Sequence, residues 1–146
     1  MVYDRALRSY RKTRVETSDP LKLVIMCYDE AIQSIRQAKM CYEEKNFEGK
    51  AKHLGRAQEI IGELLGSLDK DKGGVIASNL GNLYNYMLRR LMQGDLDKEL
   101  TAFDEVVGLL ADLLDAWEQV ARKGEAKAQL GKRYNRVVLA PRGVTA

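Results

Sequence analysis

One histidine, two cysteines and a scatter of carboxylates are the residues of this chain best suited to metal, nucleophilic or acid–base chemistry, and their spacing serves none of these. His53 has Lys50, not a glutamate, three residues before it. The paired Glu-x-x-His motif with which helical bundles hold two metal ions is therefore missing. No Cys-x-x-Cys-His occurs for haem attachment, and there is no paired-cysteine zinc pattern, glycine-rich phosphate loop or nucleophile elbow. His53 reads as a partly exposed surface residue. Glu43-Glu44 and Asp104-Glu105 fall on polar helix faces, where solvation accounts for them. Cys27 and Cys41 belong to one helix, separated by about 21 Å along its axis, which is beyond disulfide reach. They read as free, inert thiols in a reducing compartment. The chain is expected to catalyse nothing and to need no cofactor.

What remains is apolar surface. From Leu96 to Ala121 the residues Leu96, Leu100, Phe103, Val107, Leu110, Leu114, Trp117 and Ala121 alternate steps of four and three. Such spacing puts them on one face of a helix about 39 Å long. Beside them runs a second row, Val106, Leu109, Leu113 and Val120, which makes the stripe wider than one packing seam requires. These four, with Tyr84 and Met87 of the preceding helix, are the candidate residues for gripping another chain. The competing expectation is that the first or second helix covers them. Tyr84 and Tyr86 fall on different faces, so one should be buried and the other exposed. Arg89 and Arg90 should pair either with helix carboxylates or with acidic residues of a partner.

Only other long helices can cover such a rod, and the pattern supplies three. Ser18-Asp19-Pro20 is a helix start, a capping side chain followed by proline at the first helical position. Leu21, Tyr28, Ile35 and Tyr42 then recur every seven residues to about Glu44. After a turn at Lys45-Asn46, the second helix carries Phe47, Leu54, Ile61 and Leu68 at the same period. Gly49, Gly55, Gly62 and Gly66 interrupt it, each costing about 0.5–1 kcal/mol relative to alanine, so close packing by a backbone or ligand is expected there. Asp69 to Gly74 is a break. The third helix shows Ile76, Leu80, Leu83, Met87 and Leu91 on one face, and Gly94-Asp95 should end it. A very short connection then forces an antiparallel hairpin with the fourth helix. The fold expected is all-α: an antiparallel up-down four-helix bundle in a single domain spanning 1–146. Residues 20–121 form the bundle, residues 1–19 a short N-terminal helical segment, and residues 122–146 a basic tail, partly disordered or a short helix.

Charge and length bound the rest. The 146 residues carry +3 overall, with +2 in residues 1–19 and +6 in residues 122–146, which leaves −5 on the body. The tail has Tyr134 but no interleaved run of aromatic residues, so nucleic-acid binding is not favoured; a solvated terminus is the better reading. No run reaches 18 apolar residues, so no membrane span is expected. MVYDRALRSYRK has no apolar stretch after it and is not a secretory signal. A cytoplasmic protein is the expectation.

Four motifs in order give a resemblance. YNYMLRRL (Tyr84 to Leu91), preceded by Asn79-Leu80-Gly81, is similar to the most distinctive motif of the flagellin-specific secretion chaperones of bacterial flagella. Tyr10 followed by VET (Val15 to Thr17) and then Pro20, Leu23, Met26, Tyr28 and Asp29 resembles that family's N-terminal signature. RAQEIIGELLGSLD (Arg56 to Asp69) resembles its second helix, and DAWEQ (Asp115 to Gln119) its fourth. The likeness covers about residues 7–121. Glu30 stands where the family usually has a small residue, and Cys27 where it often has leucine. The resemblance implies a four-helix chaperone without ATPase activity that binds the disordered C-terminal segment of flagellin, prevents premature polymerisation and presents it to the type III export gate. The surplus stripe would then receive amphipathic client segments in the helix-in-groove manner. Leu7 and Tyr10 would form a lid that covers part of it and leaves when the client arrives. The alternative is a helical adaptor or a self-associating structural bundle that uses the same surface. A co-chaperone or an anti-sigma factor is a further candidate partner, and monomer and homodimer both stay open.

Overall fold

A computed structural model describes residues 19–139, with side chains as far as residue 125. Local chemistry sets the ends of its helices. Helix α1 (Pro20–Glu43) starts at Asp19, whose carboxylate accepts from the backbone N–H of Leu21 and Lys22 at 3.1 and 3.4 Å, with proline in the first turn. Such a cap satisfies two of the four donors left open at a helix start. Lys45 takes the left-handed conformation (φ 60°) and turns the chain. Helix α2 (Phe47–Gly66) is capped by Asn46, whose side chain accepts from Gly49 N at 3.0 Å. Here glycine is required: a Cβ at Gly49 would come within 2.6 Å of the Asn46 amide nitrogen. The close packing expected at the other three glycines of α2 is not found. Added Cβ atoms at Gly55, Gly62 and Gly66 would meet nothing within 4 Å.

The break at Asp69–Gly74 is a capped turn running straight into the next helix. Asp69 accepts from Asp71 N and Lys72 N, and helix α3 (Lys70–Asp97) bends at Gly74 (φ 56°, ψ −131°), a conformation that glycine adopts at no steric cost. The far end of α3 differs from expectation. Gly94-Asp95 does not end the helix, which continues to Asp97 and closes at Lys98 in the left-handed conformation (φ 56°). Leu96 therefore belongs to α3, not to the fourth helix, and is 73% exposed. Gly94 answers to packing instead of termination. It is buried, and a Cβ there would sit 2.7 Å from the Cβ of Ala102 and 3.0 Å from the carbonyl oxygen of Glu99. Helix α4 (Leu100–Leu139) thus crosses α3 at close range, and it continues as helix for 40 residues, well past Ala121 where the apolar pattern fades.

The four helices pack as a closed ring, α1 on α2, α2 on α3, α3 on α4 and α4 back on α1. Each contributes to one interior: Tyr28 and Ile35 from α1, Ile60 and Ile61 from α2, Met87 and Leu91 from α3, Phe103 and Leu110 from α4, all at or near zero exposure. The architecture is an all-α, antiparallel four-helix bundle. Ion pairs bridge neighbours around the outside: Glu30 with Arg56, Lys39 with Asp104 at 2.9 Å, and Lys50 with Asp95 at 2.5 Å. Exposed pairs of this kind add little stability, but the first explains how α1 accommodates Glu30: its charge is met by the guanidinium on α2. Cys27 is buried and Cys41 half-buried, and among the described residues no disulfide joins them.

A candidate docking groove at one end of the bundle

Antiparallel packing brings the start of α1, the end of α2, the start of α3 and the middle of α4 to the same end of the bundle. The connection from Ser67 to Gly74 lets α2 and α3 part there, and an open cavity of about 370 Å³ lies between them. Its walls are Val24, Leu64, Leu68, Ile76 and Leu80, and Tyr84 and Trp117 also line it. Ser67, Asp69 and Lys72 add polar groups. Ile76 is 70% exposed, and Val75 beside it is exposed as well. An apolar depression with a few polar groups is the usual form of a docking site.

Beneath these walls the Tyr28 and Tyr84 hydroxyls hydrogen-bond to each other at 2.5 Å, with the rings edge-to-face at 6.3 Å between centroids. Burial raises the pKa of both phenols above the ordinary tyrosine value, far above it at Tyr84, so both stay protonated at neutral pH. The buried indole Nε1 of Trp117 is directed at the Tyr28 hydroxyl, an interaction that lowers the Tyr28 pKa against the larger effect of burial, though among the described residues no acceptor stands at full hydrogen-bond distance from it.

The structure distributes the candidate gripping residues unevenly. Tyr84 lines the groove, buried, while Tyr86 is exposed, the division that their different faces predict. Val120 lies one helical turn beyond Trp117 and is 51% exposed. Leu109 and Leu113 are half-buried against the core. Val106 and Met87 are fully buried inside the bundle and present no surface. At 100° per residue Val106 sits only about 40° from Leu110 around the helix, so the two rows of α4 form one face, centred between Phe103, Val106 and Leu110. The first and third helices pack against it. Leu7 and Tyr10 lie outside the described residues. Sequence reasoning missed Val24, Leu68, Ile76 and Leu80 as one site. The break at Asp69–Gly74 was the available signal, since helices joined by such a turn leave a gap at that end.

Arg90 finds its partners within the protein. Its Nε donates to Glu105 at 3.2 Å, and Tyr86 donates its hydroxyl to the same carboxylate at 2.6 Å. The Tyr86 hydrogen bond, then Arg90, holds the Glu105 carboxyl below its ordinary range and raises the Tyr86 phenol. What this cluster contributes is present at neutral pH and fades as pH falls through the depressed carboxyl pKa.

The chain is similar to known proteins over most of its length. The family model described as flagellar protein FliS matches residues 3–124. The flagellar secretion chaperone FliS of Salmonella typhimurium is 36% identical over 122 residues, 80% of this chain and 90% of that protein. The flagellar secretion chaperone FliS of Bacillus subtilis is 32% identical over 131 residues, 90% of this chain and 96% of its own length. The flagellar secretion chaperone FliSB of Pseudomonas aeruginosa is 28% identical over 121 residues, covering 80% and 96%.

Proposed function

The chain belongs to the FliS family of flagellar secretion chaperones, and on that premise we propose that it holds the C-terminal segment of flagellin at the bundle-end groove in the cytoplasm. There it blocks premature polymerisation and delivers the client to the type III export apparatus. The observation that carries this reading is the open apolar groove, with Ile76 exposed on its wall and helices on every side. An amphipathic segment of an unfolded client can bury its apolar face there. Val120, Leu109 and Leu113 extend the contact along α4; Val106 and Met87 support it from inside. The role is binding, not catalysis. Self-association through the α4 stripe has less support, because much of that stripe is already inside the bundle.

Calorimetric titration with the C-terminal peptide of the flagellin from the same genome tests the reading. One-to-one binding at micromolar affinity or tighter, with a negative heat-capacity change from apolar burial, is the expected result. No heat at any temperature with the bundle folded would rule flagellin out as the client.

The lid belongs to the same proposal. Leu7 and Tyr10 occupy part of the groove until the client displaces them, so deleting residues 1–14 should tighten peptide binding and leave thermal unfolding of the bundle unchanged. Equal affinity for the full chain and the truncated form would eliminate the lid.

A further inference from the structure

We infer that Gly73 and Gly74 form a two-position hinge that gates the groove: its bent position builds one wall of the site, and its straight position withdraws that wall and lets the client go. The inference rests on the groove being the client site and goes on to name how that site is opened and closed. Gly74 stands at φ 56°, ψ −131° inside α3, with helix on both sides of it. That pair of angles is closed to L side chains and free to glycine. Gly73 is tied to the bend for a different reason. A Cβ there would lie 2.5 Å from the Cβ of Ala77, four residues on, where a regular helix keeps such atoms about 5–6 Å apart. The bent form therefore needs glycine at both positions, and a straight α3 needs it at neither.

The bend carries the wall. Leu68, Asp69 and Lys72 line the groove from one side of the hinge, Ile76 and Leu80 from the other. Little holds the turn between them in place. Every residue from Asp69 to Ile76 is exposed, and Ala77 is the first of α3 to be buried. The hydrogen bonds of the turn close on the turn itself: Gly73 N donates to Asp69 O at 2.7 Å, and the Asp71 and Lys72 amides donate to the Asp69 carboxylate. Among the described residues no ion pair ties it to another helix. A segment so attached moves at low cost in packing. Turning Gly74 into the helical region reverses the sign of φ and brings the Lys70–Gly73 turn into line with α3. Asp69 and Lys72 then leave the wall. A client that binds only the bent form holds it there.

A Cβ added at Gly74 meets nothing within 4 Å, so a substitution there acts through the backbone and not through lost space. Alanine is excluded from the bent angles, whereas D-alanine, whose allowed map is the mirror image, favours them. In the full-length protein, Gly74→Ala should weaken the flagellin C-terminal peptide about tenfold or more in calorimetric titration. D-alanine at the same position, introduced by ligation, should bind at least as tightly as glycine. Equal affinity for the alanine and glycine forms overturns the gate. An equal loss from alanine and D-alanine does so too, because the cause would then be the added methyl group. Motion is read without a client, by relaxation dispersion of the ¹⁵N-labelled protein. Exchange on the microsecond-to-millisecond scale of hinge motions should centre on the amides of residues 69–76 and vanish with D-alanine. A glycine form without exchange there has a rigid bend, which overturns the hinge while the chaperone reading stands. If exchange is present and D-alanine removes it, but the peptide binds no form, the hinge stands and flagellin is removed as the client.

Discussion

Phe103→Ala should lower the unfolding free energy by about 3–5 kcal/mol, the usual cost of emptying a fully buried phenylalanine site. Phe103 is 1% exposed at the start of α4, and its ring edge lies 3.4 Å from where a Cβ on Gly94 would stand. The ring thus fills the corner that α3 and α4 make by crossing at close range. Neither helix has room to follow it inward, because Ala102 and Glu99 stand so near that even a Cβ on Gly94 would clash with them. A site that cannot collapse keeps its cavity, which places the cost toward the upper end. Domains of this size hold about 5–15 kcal/mol in total, so the loss is a large share. In urea the midpoint should fall by about 2 M with the slope unchanged. A shift below about 0.5 M would mean that the corner relaxes, and the rigid crossing described here would be wrong.

Ile76→Asp should weaken the flagellin peptide by about 30-fold or more while leaving stability almost unchanged. In the free protein Ile76 is 70% exposed, so little packing is lost on substitution. Exposed substitutions of this kind usually stay within about 0.5 kcal/mol. In the complex the same side chain would be covered, and burying an isoleucine contributes about 1.5–3 kcal/mol. An aspartate at that position forfeits the gain and must also be desolvated. Met92→Asp is the control. Met92 lies toward the other end of α3 and is 55% exposed, so a charge there should leave affinity unaltered. Equal losses from both substitutions would place the client along the length of α3, not in the end groove.

Much of this molecule could be read directly from residue types. Asp19-Pro20 marks a helix start because a capping side chain satisfies donors that nothing else reaches, and the cap is where the sequence puts it; Asn46, at the turn, does the same for α2. The seven-residue repeats give the right four helices because burial demands that period. Two readings failed for physical reasons. Gly94 has the identity of a terminator but the job of a spacer, and only the neighbouring helix, through Ala102, reveals the difference. The two apolar rows of α4 are one face, against which α1 and α3 pack together, so Val106 is inside. The groove was the least legible feature. It is made by the ends of helices far apart in sequence, and neither Val24 nor Ile76 carries any sign of the other.

The groove shares its end of the bundle with the start of α1, where Val24 forms part of its wall. Eighteen residues precede Asp19, so any apolar side chain among them is tethered to the groove instead of being free in solution. A short tether holds its cargo at an effective concentration on the order of 1 mM. A lid whose intrinsic dissociation constant is only about 0.1 mM would then fill the groove roughly ten-elevenths of the time and weaken every competing ligand about tenfold. The same residues supplied as a separate peptide would have to approach millimolar concentration to do as much. With such a lid, the strength of client binding would be set in part by connectivity, by where the chain enters the bundle, and lengthening the link between Tyr10 and Asp19 would tune it without altering one contact in the groove.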